Sequence, residues 1–168
     1  RRLQALRVPT IAAVNGVAAG AGASLAMTCD IAIAAPGASF IQAFSKIGLI
    51  PDAGGSWFLV ERLGLARALA LSMTGDKLPA LQAKEWGMIW DVADDALAAA
   101  LAMAEKLAVM PTQALVATRH LLRDASTRTL HQQLDAERDT QSAMGHTHDY
   151  IEGVMAFLEK RPAQFKGE

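Results

Sequence analysis

The sequence has 168 residues, 52% of them hydrophobic and 20% charged, with a formal net charge of −1 and a single cysteine. A chain of this length builds one sizeable core, and its charge balance excludes the basic footprint of a nucleic-acid-binding protein. One cysteine cannot form an internal disulfide, no secretory signal pattern is present and no apolar run reaches the roughly 20 residues of a membrane helix, so we expect a cytoplasmic protein without a membrane partner.

The first eight residues combine arginines with Leu and Val at spacings typical of the last turns of an amphipathic helix. A natural chain more often begins with Met and a short loop. We therefore expect further sequence upstream, and any site shared with that part is incomplete here.

Residues 9–95 alternate short apolar runs with helical patterns. Apolar runs predict strands at 11–14, 31–34 and 39–41, a further strand end at 47–50 that enters a tight loop, and a short strand at 88–92. Small residues after Gly20 predict a short, closely packed helix that ends near Asp30, and helical spacing predicts further helices at 56–63, 66–73 and 79–86. Strands that alternate with helices predict an α/β layer with parallel strands.

The remainder of the chain has helical periodicity only. Four helices are expected at 96–107, 112–123, 129–144 and 150–160, and no strand pattern lies between them. No linker rich in Gly, Ser or Pro separates the two parts. The sequence therefore predicts one domain, with an α/β part at 1–95 and a helical subregion at 96–168.

Two features could carry chemistry. Gly20, Ala21 and Gly22 place unhindered N–H groups at the beginning of a helix, where they lack intrahelical partners and suit a developing oxyanion. The alternative is that the small residues only allow close packing. Asp52 lies among apolar and flexible residues, so we expect desolvation that would suit a carboxyl for proton transfer. The alternative is that the Asp52 side chain caps the following helix or accepts hydrogen bonds from loop amides.

Other candidates carry less weight. Ser24 follows a Gly-rich turn, but no nucleophile elbow surrounds it and all histidines lie far downstream, which argues against a serine hydrolase. His146, His148 and Asp149 are more typical of a solvated loop than of a metal site, and no metal is expected. Lys160 lies near the end of a charged helix and is either a solvated residue or a cation for a phosphate group.

The strongest pattern is a resemblance to a known family. Residues 9–30 (PTIAAVNGVAAGAGASLAMTCD) closely resemble the signature of the enoyl-CoA hydratase/isomerase (crotonase) superfamily. Residues 47–55 (IGLIPDAGG), 75–87 and 152–161 (EGVMAFLEKR) extend the likeness over essentially the whole chain. The resemblance implies the later part of a crotonase ββα spiral followed by a helical trimerisation subregion, with the family's N-terminal part missing. That part normally supplies a second oxyanion-hole amide and much of the CoA pocket.

Within this superfamily, hydratases carry two glutamates, and the matching positions here are Ser24 and Phe44. An aspartate at position 52 is instead typical of the isomerases of phenylacetate degradation, which residues 44–52 (FSKIGLIPD) and 85–90 (EWGMIW) also resemble. The resemblance implies isomerisation of ring-1,2-epoxyphenylacetyl-CoA to its oxepin form and double-bond shifts in enoyl-CoA. A fatty enoyl-CoA isomerase, a hydratase-like crotonase and a non-catalytic acyl-CoA-binding subunit remain alternatives.

The resemblance also implies roles for particular residues. Asp52 would be the acid/base and the Ala21 amide would polarise the thioester carbonyl. Residues that would contribute to substrate binding are Gly20, Gly22, Phe44, Gly55 and Lys160. The implied substrate is an acyl-CoA thioester, no separate cofactor is expected because CoA is part of the substrate, and the implied assembly is a homotrimer or a dimer of trimers.

Overall fold

A computed structural model describes residues 2–168, which form two compact units. The first unit comprises the described residues up to Ala5 together with 10–103, and the second comprises 6–9 and 104–168. None of the described helices is long and apolar enough to cross a membrane.

The first unit contains two three-stranded sheets. Strand order is β1-β3-β6 in one sheet and β2-β4-β5 in the other. All pairings are parallel except the antiparallel pair β4–β5. The strands are β1 (Ile11–Val14), β2 (Val17–Ala19), β3 (Ile31–Ala34), β4 (Ser39–Ile41), β5 (Lys77–Pro79) and β6 (Asp91–Val92). The predicted α/β layer with parallel strands is thus confirmed.

Four helices complete this part of the first unit. They are α1 (Ala21–Thr28), α2 (Gly55–Leu63), α3 (Leu65–Thr74) and α4 (Ala80–Glu85), and a 3₁₀ helix spans Ala43–Ile47. The parallel strands β1 and β3 are joined by a crossover through β2 and α1, because a tight turn cannot connect parallel neighbours. The buried face of α1 consists mainly of small residues such as Ala23 and Ala26, which let the helix approach the neighbouring elements closely.

Three local expectations are wrong. Residues 47–50 form no strand, because the 3₁₀ helix ends at Gly48 in the left-handed conformation (φ 73°) and its N–H donates to the carbonyl of Ser45. Residues 2–5 form a turn instead of the end of a helix, and Arg1 of that predicted segment lies outside the described residues. The strand expected at 88–92 is limited to Asp91–Val92, since only these residues pair with β3.

The second unit is helical. Helix α5 (Ala96–Ala108) begins in the first unit and ends in the second, so the division between units falls inside this helix rather than at residue 95. The helices that follow are α6 (Thr112–Asp124), a 3₁₀ turn (Ala125–Thr127), α7 (Leu130–Met144) and α8 (His148–Glu159). Helix α7 begins with a capping box between Thr129 and Gln132, which satisfies backbone donors at its start.

Candidate active site

The beginning of α1 is the first element of the site. Gly20 has φ 53° and ψ −122°, a conformation that favours glycine, and its N–H donates to the carbonyl of Ile41 on β4 at 2.8 Å. No side chain caps the helix, and the Ala21 and Gly22 N–H groups have no acceptor among residues 2–168. Both residues are exposed, and a Cβ at Gly22 would meet no atom within 4 Å. The helix start therefore offers open donors at its positive end.

Phe44 lies against this helix start. Its side chain is buried, and a Cβ built on Gly20 would lie 3.4 Å from the end of the Phe44 ring. The 3₁₀ helix Ala43–Ile47 carries the ring to this position. Gly20 and Phe44 thus form an apolar wall beside the open amides.

Asp52 begins a tight turn. Its carbonyl accepts a 2.7 Å hydrogen bond from the Gly55 N–H, and the two central residues have left-handed φ values, 49° for Ala53 and 86° for Gly54. Positive φ at both central positions is the signature of a type I′ turn. An alanine in this region is strained by roughly 1 to 2 kcal/mol, and such strain is typical of functional loops. The turn projects the side chain of Asp52 outward.

The Asp52 side chain is not a helix cap. Helix α2 has Gly54 as its N-cap, with no side-chain cap hydrogen bond. Within the described chain, no amide or cationic side chain is paired with the Asp52 carboxylate, and this carboxylate is exposed. The alternative of a capping role is therefore not supported, and a carboxylate without a structural partner remains available for proton transfer.

The expected desolvation of Asp52 is wrong for the described chain. The neighbouring apolar side chains do not cover the carboxylate because they are themselves exposed, Leu49 by 60% and Ile50 by 80%. Periodicity cannot predict this arrangement, because the irregular segment before α2 leaves Leu49, Ile50 and Asp52 all exposed.

Gly55 connects the Asp52 turn to α1. It is buried, and a Cβ at this position would lie less than 3.0 Å from the Ser24 Oγ and 3.6 Å from the Pro51 Cβ. Ser24 is fully buried in the first turns of α1, and its hydroxyl faces the Gly20 carbonyl at 3.4 Å. The contact brings the loop of Asp52 against the helix whose first residue is Ala21. The sequence argued against Ser24 as a nucleophile but did not predict this packing role.

The other candidate residues lie in the second unit. Lys160 is exposed and ends α8 in the left-handed conformation (φ 54°). Asp149 is buried, and its carboxylate accepts the Lys166 and Gly167 N–H groups at 2.7 and 2.8 Å. Asp149 therefore anchors the C-terminal segment. The binding roles predicted for Lys160 and for Gly20, Gly22, Phe44 and Gly55 stay predictions.

The fold and the site define a class of protein: an α/β chain in which the loop of one free carboxylate, Asp52, packs against a helix whose first amides are uncapped. The family model for enoyl-CoA hydratase/isomerase matches residues 1–168. The chain therefore belongs to the enoyl-CoA hydratase/isomerase family.

Individual relatives agree with this assignment. The chain is 54% identical over 170 aligned residues to the 1,2-epoxyphenylacetyl-CoA isomerase of Escherichia coli, covering 100% of this chain and 65% of the relative. It is 39% identical to the 2,3-dehydroadipyl-CoA hydratase of the same organism, covering 99% of this chain and 66% of that protein. The chain thus spans slightly less than two thirds of the length of these relatives.

Solved structures show the same fold. An enoyl-CoA hydratase from Polaromonas superposes with a TM-score of 0.93 at 42% identity, covering 98% of this chain and 65% of that one. An enoyl-CoA hydratase from Bacillus anthracis superposes with a TM-score of 0.93 at 35% identity, covering 99% of this chain and 65% of that one. The expected partial crotonase spiral with a helical C-terminal region is confirmed.

Proposed function

We propose that this protein is an acyl-CoA isomerase that converts ring-1,2-epoxyphenylacetyl-CoA to its oxepin form and shifts double bonds in enoyl-CoA thioesters. The observation that carries the proposal is the packing of the Asp52 turn, through Gly55, against Ser24 of the helix that starts uncapped at Ala21, together with the unpartnered Asp52 carboxylate. The similarity to the E. coli 1,2-epoxyphenylacetyl-CoA isomerase supports the choice of substrate.

The mechanism follows from these two groups. The Ala21 N–H donates to the thioester carbonyl oxygen and stabilises the enolate that forms when a neighbouring C–H is deprotonated. One such preorganised donor lowers a barrier by about 3 to 4 kcal/mol. In an enoyl-CoA, Asp52 removes the proton from one carbon and returns it to another, which shifts the double bond. In the ring epoxide, the C–C bond shared by the epoxide and the six-membered ring also opens to give the seven-membered oxepin, and the same proton transfer by Asp52 places the hydrogen of the product.

Isomerisation is favoured over hydration by the residues at two further positions. Ser24 and Phe44, which the family resemblance aligns with the hydratase glutamates, are both buried and carry no carboxylate. Phe44 instead presents a ring beside Gly20. An apolar wall without a second carboxylate does not activate water, so proton transfer by Asp52 is the favoured reaction.

We further infer that the protein assembles as a homotrimer or a dimer of trimers through its helical region. The exposed apolar residues of α8, Phe157 at 82% and Leu158 at 69%, support an association surface there. Light scattering of the purified full-length gene product tests this inference, and a monomer at micromolar concentration would contradict it.

The catalytic proposal is tested with the full-length gene product, its Asp52→Asn variant and an Asp76→Asn control at an exposed aspartate elsewhere in the first unit. A 3-enoyl-CoA and ring-1,2-epoxyphenylacetyl-CoA are followed by chromatography. Because a positioned general base contributes about 100-fold to 10,000-fold, we expect Asp52→Asn to lose at least about 100-fold in both turnover rates. The control should keep the wild-type rate.

Each alternative has its own outcome in this experiment. Turnover of only the 3-enoyl-CoA indicates a fatty enoyl-CoA isomerase, and water addition to a 2-enoyl-CoA indicates a hydratase-like enzyme. Binding of CoA esters without turnover indicates a non-catalytic subunit. Full activity in Asp52→Asn would refute the single-carboxylate mechanism.

A further inference from the structure

Arg62 ties the two helices of the candidate site together at the end opposite to the reacting groups. It lies in the last turn of α2 and is partly buried. Its Nη2 donates to the carbonyl oxygens of Met27 at 2.6 Å and Cys29 at 3.0 Å, and its Nη1 donates to that of Met88 at 2.8 Å. One guanidinium thus joins α2 to the C-terminal end of α1 and to the segment before β6.

The fixed fork of a guanidinium suits this role. The last carbonyl groups of α1 have no intrahelical donors and carry the negative end of the helix dipole, so a cation with several N–H groups satisfies and stabilises them. Lysine has the charge but not the planar fork, and therefore cannot hold three carbonyl groups in the same directions. The Arg62 side chain also lies over the ring of Phe58, 5.8 Å from its centroid, which further fixes its orientation.

The three Arg62 hydrogen bonds, called the Arg62 clamp below, join α2 to the C-terminal end of α1 and to the segment before β6, beyond the apolar packing that the two helices share in the core. A second close contact, between Gly55 and Ser24, lies toward the N-terminal ends of the two helices. Helix α1 has only eight residues, so the clamp lies about 12 Å from Ala21 along a rigid rod. If the C-terminal end of α1 is released from the clamp, the direction of this short helix can change, and the position of the Ala21 amide relative to the Asp52 turn changes with it.

We propose that Arg62 is a positioning residue, which fixes the Ala21 amide relative to the Asp52 carboxylate by holding the C-terminal end of α1 to α2. This inference rests on the proposed function, since it assigns Arg62 to the alignment of the same two groups. Arg62 touches neither the substrate nor the reacting atoms.

The test compares Arg62→Met and Arg62→Lys with Arg67→Met in the full-length gene product. Arg67 is the matched control because it is an arginine of the adjacent helix α3 that stacks over Trp86, 4.7 Å from the ring centroid. The readouts are kcat and KM for a 3-enoyl-CoA, thermal stability, and the isotope-edited infrared band of the carbonyl in bound [1-¹³C]phenylacetyl-CoA. The band reports the hydrogen bonding of the thioester carbonyl, to which the Ala21 amide contributes.

Since a misplacement of about 1 Å costs on the order of 100-fold, we expect Arg62→Met to lower kcat by roughly tenfold to 100-fold with KM changed by less than about threefold. The carbonyl band should move toward its frequency in free thioester. Arg62→Lys should recover part of both effects, and Arg67→Met should change stability without changing kcat or the band. If Arg62→Met does not fold, Arg62→Lys alone must show the intermediate kcat and band.

Loss of stability with unchanged kcat and carbonyl band in the Arg62 variants would overturn the proposal, because it would reduce Arg62 to a structural residue. An equal loss of kcat in Arg67→Met would also overturn it. The Asp52→Asn variant is measured in parallel. If Asp52→Asn loses activity while the Arg62 variants keep it, only the positioning role fails; if Asp52→Asn stays active, the proposed function fails and the positioning role fails with it.

Discussion

Substitution of Gly55 by alanine should disturb both stability and catalysis. The added Cβ would lie less than 3.0 Å from the Ser24 Oγ, a separation that real Cβ atoms essentially never show. Ser24 is fully buried, so its hydroxyl has little room to move. Overpacking of this kind costs about 1 to 3 kcal/mol. Gly55 is the first residue of α2, where the advantage that alanine has in the middle of a helix is not gained, so we expect a net loss of about 1 to 3 kcal/mol.

A double-mutant cycle with Ser24→Ala isolates the contact. Ser24→Ala alone removes a long hydrogen bond of 3.4 Å to the Gly20 carbonyl and should cost about 0.5 kcal/mol. In the double variant the new Cβ lies 3.4 Å from the remaining Cβ of residue 24, which is tight but tolerable. The double variant should therefore be nearly as stable as Ser24→Ala, with a coupling energy of about 1 to 3 kcal/mol.

The assay is urea unfolding followed by circular dichroism at one fixed protein concentration, because assembly makes apparent stability depend on concentration. Turnover of a 3-enoyl-CoA is measured on the same samples. We expect Gly55→Ala to lower kcat as well, since the Asp52 turn must shift to relieve the overlap. Additive stability losses in the cycle, or an unchanged unfolding midpoint in Gly55→Ala, would refute the reasoning from this contact.

Three further predictions concern other positions. Ala53→Gly relieves a left-handed alanine (φ 49°) at the cost of a more flexible unfolded chain, so unfolding should require about 0 to 1 kcal/mol more, and a lower urea midpoint would contradict the assigned strain. Gln42→Met replaces a buried amide whose oxygen and nitrogen both lack partners among the described residues, so the midpoint should rise by the equivalent of about 1 to 3 kcal/mol; a fall would reveal an unseen partner. Arg161 and the Gln164 N–H lower the pKa of Glu152 from 4.5 to about 2. The contribution of ionised Glu152 to the free energy of unfolding is therefore complete above about pH 4.5 and is lost as the pH falls toward 2. Glu152→Gln should flatten that part of the stability profile and speed carboxypeptidase cleavage of the C-terminal segment, whereas an unchanged profile would contradict the pairing.

Apolar periodicity in the sequence predicted most of the longer strands and helices. The strands at Ile11–Val14 and Ile31–Ala34 and the helices of the second unit follow from apolar periodicity, and the structure has them at nearly the expected bounds. The three-residue strands Val17–Ala19 and Lys77–Pro79 were missed. Such short strands exist because distant partners pair with them through β4, and no pattern within three residues carries that information.

The sequence by itself determined the family, the uncapped helix start at Ala21 and the choice of Asp52 as the candidate acid/base, because these depend on residue types at fixed spacing. Tertiary structure alone decided that the Asp52 side chain is exposed on a type I′ turn, that Gly55 presses this turn against Ser24, and that Arg62 closes the other end of the helix pair. These relations depend on how separate elements pack in space, and packing distances between residues far apart in the chain leave no local trace in the sequence.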